Sequence, residues 1–273
     1  MKTWEDPAMP DTRTPSLLAG QVVVVTGAGQ GIGAGIARSL GLFGASVVVA
    51  SLTESRALET AAALTARGIS AIGVRHDVTN SASCDALAAA AVDAFGAVDL
   101  LVNNAGTSGR SPLDEMDEST WESMIDVNLT GVQRTTRPFV AQMKERRHGS
   151  IVSISSVAGR AGKANMSHYC ATKFGVIGFS QALALELAPF NVRGNCVCPG
   201  IVRTRLWEIE LEEISLARNV TIEEAWNIAL ESIPMRRPQT PEDIGAAVAF
   251  LASPLAKNIT GQSLNVDGGY EMS

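Results

Sequence analysis

Four consecutive valines, Val22-Val23-Val24-Val25, run directly into Thr26-Gly27-Ala28-Gly29-Gln30-Gly31-Ile32-Gly33, and a helical pattern continues through Phe43. An unbroken β-branched run fits a strand buried on both faces, which is the strand type of a parallel sheet covered by helices. Glycines placed right after such a strand let backbone N–H groups approach a pyrophosphate. The helix that starts there adds about half a positive charge at its N-terminus. Glycine-rich turns are common in a chain with 25 glycines; the strand before and the helix after give this one its meaning.

The same alternation continues downstream. Residues 46–50 read as a second strand with a helix to about residue 67. Residues 71–75 read as a third strand, leading to Asp77-Val78, and a helix over 81–95 precedes a fourth strand at 98–103. Further strands are expected at 150–155, 191–197 and 263–266, and a last helix over 241–252. The spacing predicts an α/β fold, a single doubly wound parallel sheet of about seven strands flanked by helices. Asn103-Asn104-Ala105-Gly106 closes the fourth strand with small polar residues on the side where such sheets bind ligands. A long helix is expected from about residue 119, with Trp121, Ile125, Leu129 and Val132 on one face, Asn128 inside it and a kink at Pro138. A buried asparagine there is either locally satisfied or part of a polar relay.

Chemistry concentrates at the end of the strand over 150–155. Ser156 offers a hydroxyl at its exposed end. Tyr169 and Lys173 follow at i, i+4 spacing on the next helix, so both leave one helical face. A phenol ionises near pKa ~10, too high for a base at neutral pH, and an ammonium one turn away favours the phenolate. The pair suits a residue that donates and accepts a proton in one cycle. The chain has only two tyrosines, which makes a chance match less common.

Charge narrows the partners. With 28 acidic against 22 basic residues the net charge is −6, which disfavours nucleic acid or an anionic membrane as partner. No apolar run approaches the ~20 residues that span a bilayer. Residues 1–17 read as a flexible polar tail rather than a secretory signal, so a cytoplasmic protein is expected. Cys84, Cys170, Cys196 and Cys198 are expected to be buried reduced thiols, with no metal site.

Taken together, Thr26-Gly27-x-x-x-Gly31-x-Gly33, Asn103-Asn104-Ala105-Gly106, Asn128, Ser156, Tyr169, Lys173 and Pro199-Gly200 resemble the short-chain dehydrogenase/reductase family, over about residues 18–270. The resemblance implies a Rossmann-like domain over 18–273 that transfers a hydride between NAD(P) and a carbonyl or secondary alcohol. It implies Tyr169 as general acid/base, Ser156 as holder of the substrate oxygen, Lys173 on the nicotinamide ribose, and Asn128 holding a relay water. Gly27, Gln30, Gly31, Ile32, Gly33, Ser51, Asp77, Val78, Asn104, Ala105, Gly106, Pro199, Gly200, Val202 and Thr204, with Tyr169 and Lys173, would line the cofactor cleft. Residues 205–235 would form a substrate lid, with Trp207, Ile209, Leu211, Ile214, Leu216 and Trp226 among seven glutamates.

Two departures stand out. Gly194 replaces an aliphatic residue and is expected to loosen its strand's packing. Ser51 replaces the acid that would hold the NAD ribose; its hydroxyl and that of Thr53 can donate to a phosphate, and Arg56 starts the next helix, which leans the cofactor toward NADP over NAD even though Leu52 and Gln30 offer no cation. The lid suggests a small polyol, sugar or hydroxyketone as substrate. The alternatives are a 3-oxoacyl-thioester (acyl-carrier-protein) reductase and a non-catalytic dinucleotide sensor. The small residues Ala171, Gly175, Gly178 and Ala182 stripe the Tyr169 helix, and with the resemblance they suggest a homotetramer.

Overall fold

The computed structural model describes residues 16–272. The first fifteen residues of the expected tail lie outside these. Leu17, the last residue assigned to that tail, packs against the core.

Seven parallel strands form one sheet: β1 (Val22–Thr26), β2 (Ser46–Ser51), β3 (Ala71–Arg75), β4 (Leu100–Asn103), β5 (Gly149–Ile154), β6 (Val192–Pro199) and β7 (Ser263–Val266). Their order is β3-β2-β1-β4-β5-β6-β7. Chain order reverses between β1 and β4, which pair in parallel from Val23 opposite Leu100 to Val25 opposite Val102. Such a reversal opens a crevice at the carboxyl ends of the strands.

Helices α1 (Gly31–Leu42), α2 (Glu54–Thr65) and α9 (Pro241–Ala252) cover one face. Helices α3 (Ser81–Phe95), α5 (Gly131–Arg146) and α6 (Ser167–Leu187) cover the other. The valine run serves both layers: Val23 and Val25 join the first core, Val22 and Val24 the second. This two-sided burial is why β1 shows no polar alternation. Helix α9 lies against α1 so closely that a methyl on Gly245 would clash with Ser39 Oγ, and an Arg38–Glu242 ion pair joins the two helices.

The long helix differs from expectation in two ways. It runs through Pro138, which sits inside α5 beside the fully buried Phe139, so packing outweighs the missing backbone bond there. Its irregularity lies upstream, where α4 (Glu118–Ile125) passes into α5 through a π-turn at Asp126–Thr130. A π-turn inserts a residue and rotates the face that follows it. That explains why Val132 is buried whereas Trp121, expected on the same face, is 39 % exposed.

Gly194 is also corrected. It does not loosen its strand; a methyl there would sit 3.3 Å from Ser180 O and 3.5 Å from Ala184 Cα, so its absence lets α6 lie close on β6. The four cysteines are buried free thiols, as expected. Between β6 and α9, α7 (Arg205–Arg218) and α8 (Ile222–Glu231) form a helical pair over the expected lid stretch. Helix α8 is held at its start by a capping box between Thr221 and Glu224.

Candidate active site

The crevice between β1 and β4 is closed by one hydroxyl. Thr26 Oγ1 accepts from Asn104 N and Ala105 N, each at 3.0 Å, and donates to Val102 O at 3.3 Å. Asn104 returns the link, its Nδ2 donating to Thr26 O at 2.8 Å and Gly27 O at 3.4 Å. Asn104 thus braces the glycine-rich turn with its side chain. The turn is tight enough that glycine is required: a methyl on Gly33 would clash with both Asn104 Nδ2 and Gly27 O. Gly27 and Gly31 have φ of 64° and 56°.

These features fit a pyrophosphate. Helix α1 begins at Gly31 with no side-chain cap from Gln30 and no acidic residue in its first turn, so its first N–H groups and its positive end remain for an anion. Thr204 caps the other wall, its Cγ2 3.7 Å from where a Gly31 methyl would be. Pro199 ends β6; Gly200 packs against Asp267 and Gln239, and Val202 is buried with its backbone bridged to Gln239. Val202 therefore gives its side chain to the core, on which half-buried Ile32 also packs. Asp77 Oδ1 accepts from Thr79 N and Oγ1, which holds its carboxyl below the usual range and shapes the turn after β3. Val78 packs on Gly131, where a methyl would come within 2.9 Å of it.

The other half of the candidate site is made of side chains. Lys173 is 7 % exposed and donates from Nζ to Ile154 O at 3.0 Å, with Nζ 5.6 Å from the Tyr169 ring centroid. Burial pulls its pKa down to about 8, opposed by the nearby Cys196 and Cys198 thiols. Ser155 Oγ donates to Lys173 O at 2.9 Å, which pins α6 to the end of β5. Tyr169 packs against Ala158, Met166 and Cys170. Ser156 Oγ accepts from Ala158 N at 3.1 Å, so its own proton is left to donate.

Asn128, at the centre of the π-turn, accepts at Oδ1 from Thr107 N and donates from Nδ2 to Thr107 O, both at 2.8 Å. Its amide fixes the loop after β4. Gly106 lies between the two anchors; a methyl there would be 3.1 Å from Asn128 Oδ1 and 3.8 Å from Lys173 Nζ. Thr107 and Ser155 are residues sequence reasoning missed, and Thr26, read only as the head of the glycine motif, carries a bracing role. Only Thr26, adjoining the glycine turn, carried a positional signal.

On the lid, Trp207 and Trp226 meet edge to face, with centroids 6.5 Å apart and planes at 74°. They pack with Tyr270 and Leu230 on the buried Ile201, Ala229 and Ile233. Leu211 is buried and Leu216 exposed. Among the described residues no group of three or more histidine, cysteine or acidic side chains is placed to hold a metal. No described helix is long and apolar enough to cross a membrane.

Comparison with known proteins agrees with this geometry. A family profile described as short chain dehydrogenase matches residues 21–214. The 3-oxoacyl-[acyl-carrier-protein] reductase FabG of Vibrio cholerae is 38% identical over 255 residues, covering 93% of this chain and 99% of that protein. The short-chain reductase protein NovJ of Streptomyces niveus is 38% identical over 248 residues, covering 91% and 93%. A crystal structure of a variant of actinorhodin polyketide ketoreductase with NADPH superposes with a TM-score of 0.89 at 38% identity, covering 94% of this chain and 99% of that one.

Proposed function

The chain belongs to the short-chain dehydrogenase/reductase family, and we propose that within it the protein reduces the ketone of a 3-oxoacyl or polyketide-type thioester with NADPH. NAD(P) is the family's cofactor, and the uncapped end of α1 beside Thr204 suits its pyrophosphate. The bound nicotinamide supplies a hydride to the carbonyl carbon. Tyr169 gives its phenolic proton to the carbonyl oxygen, while Ser156 donates a hydrogen bond to that oxygen and holds it in place. Lys173, as an ammonium on the same helical face, stabilises the phenolate left on Tyr169. The observation that carries the reading is the convergence of Lys173, Tyr169 and Ser156 through the Ser155 and Ala158 bonds at the end of β5.

The substrate class rests on relatives named for 3-oxoacyl and polyketide ketone reduction. The ring-rich lid cluster over β6 also suits an acyl substrate better than a polyol. On this reading α7 and α8 close over the substrate, and residues 18–273 act as one catalytic domain. A homotetramer is part of it, since Ala171, Gly178 and Ala182 face solvent on α6 with Phe174 and Leu185 beside them. Four buried free thiols suit a reducing cytoplasm. NADPH oxidation should be followed with 3-oxoacyl N-acetylcysteamine thioesters, and NAD(P)+ reduction with a polyol and hydroxyketone panel. Turnover on the thioesters is expected; turnover confined to polyols would overturn the substrate assignment.

A further inference from the structure

The selectivity of the cofactor cleft lies where the glycine-rich turn meets α2. Ser51 ends β2 without the carboxylate that would repel a 2′-phosphate, and Leu52 beside it is 61 % exposed and uncharged. Gln30, in the turn itself, is also uncharged. Neither position supplies positive charge.

The structure brings a cation there from elsewhere. Arg56, in the first turn of α2, donates from Nη1 to Gln30 Oε1 at 2.8 Å across 26 residues of chain. Its stem lies on the turn itself: a methyl on Gly29 would sit 2.8 Å from Arg56 Cβ and 2.7 Å from Ser51 Oγ. Gly29, Gln30, Ser51 and Arg56 therefore form one rim. Gln30 makes no cap bond to α1, and Thr53 makes none to α2, so Gln30 is spent on Arg56 instead of on its own helix. A guanidinium has five N–H donors in a rigid fork. The single bond to Gln30 orients that fork and leaves most of it for an anion. Glu54, the acid of that turn, is two residues from Arg56 and does not share its helical face.

We propose that Arg56 is the residue that selects the 2′-phosphorylated cofactor, and that Gln30 is its positioning residue. The proposal rests on NADPH being the cofactor of the ketone reduction. The cation comes from α2, and the turn supplies a neutral acceptor that steers it. Charge-assisted bonds from guanidinium to phosphate are stronger than neutral ones and two-pronged, so discrimination follows from Arg56 even at an exposed rim.

The test is kcat/KM for NADPH and for NADH in wild type, Arg56→Leu, Arg56→Lys and Gln30→Leu, with 2′,5′-ADP and 5′-AMP as competing probes. Arg56→Leu is expected to lower the NADPH:NADH ratio by about 10–100-fold, through KM for NADPH, with NADH kinetics unchanged. It should also lose 2′,5′-ADP inhibition while keeping that of 5′-AMP. Arg56→Lys should restore part of the ratio. Gln30→Leu should lower it by about 3–10-fold, through KM for NADPH. A ratio within about twofold of wild type in Arg56→Leu, or an equal fall with both cofactors, overturns the proposal. A wild type that prefers NADH overturns the cofactor reading itself, whatever the variants do.

Discussion

The two halves of the cleft are built from different materials. At β1 the cofactor half is backbone: Gly27 and Gly33, held by Thr26 and Asn104, leave room where any side chain would clash, and Gly31 turns with a φ of 56°. At β5 and α6 the catalytic half is side chain: Ser156, Tyr169 and the buried Lys173, held by Ser155 and flanked by Asn128. Shape governs the first half and proton affinity the second. A substitution in one should leave the other's property standing, and that separation can be attacked from both sides.

The largest effect is expected from Tyr169→Phe. Removing the proton donor should lower kcat by about 10²–10⁴-fold, the usual worth of a general acid. Stopped-flow or steady-state NADPH oxidation reads it directly, and a kcat within a few-fold of wild type would mean that another group donates the proton.

On the other side, Gly33→Ala drives a methyl into Gly27 O, so the turn must shift. Such overpacking costs about 1–3 kcal/mol, which should appear both as a lower urea midpoint and as weaker NADPH binding. Once the variant is saturated with cofactor, kcat should recover. A kcat that stays depressed at saturation would show that the halves are coupled.

The pH dependence sharpens the comparison further, because it belongs to the catalytic half alone. Lys173 falls from its ordinary 10.5 to about 8 because burial penalises the ammonium. kcat/KM for ketone reduction reports the free enzyme, so it should decline above about pH 8 as Lys173 loses its proton. Stability moves the other way. Between about 8 and 10.5 the unfolded chain still holds the proton that the folded chain has released, so unfolding free energy rises with pH through that window. An activity profile flat from pH 7 to 10, measured with cofactor at a fixed fraction of its KM, would contradict this assignment of Lys173.

Much of the fold could be read before the structure because its strands are short apolar runs with glycine or asparagine at the ends. The expected spans 71–75, 81–95, 241–252 and 263–266 coincide with β3, α3, α9 and β7. The π-turn at Asp126–Thr130 could not be read, since a helical pattern carries no mark of one inserted residue and Trp121 was placed on the wrong face as a result. The site was legible as residue types in order, while its bracing was not. Thr26 meets Asn104 across 78 residues, and Asn128 meets Thr107 across 21, contacts that no local periodicity encodes. Arg56 shows the same limit: its place early in α2 gave no sign that its head would lie on Gln30.

The separation of the two halves is tested most directly by titrating NADPH into Tyr169→Phe and into wild type by calorimetry, with kcat measured on the same preparations. Independent halves predict dissociation constants within about threefold of each other alongside a kcat lower by about 10²–10⁴-fold. NADPH affinity falling in step with kcat would contradict that independence, because the phenol would then be holding the cofactor rather than moving a proton.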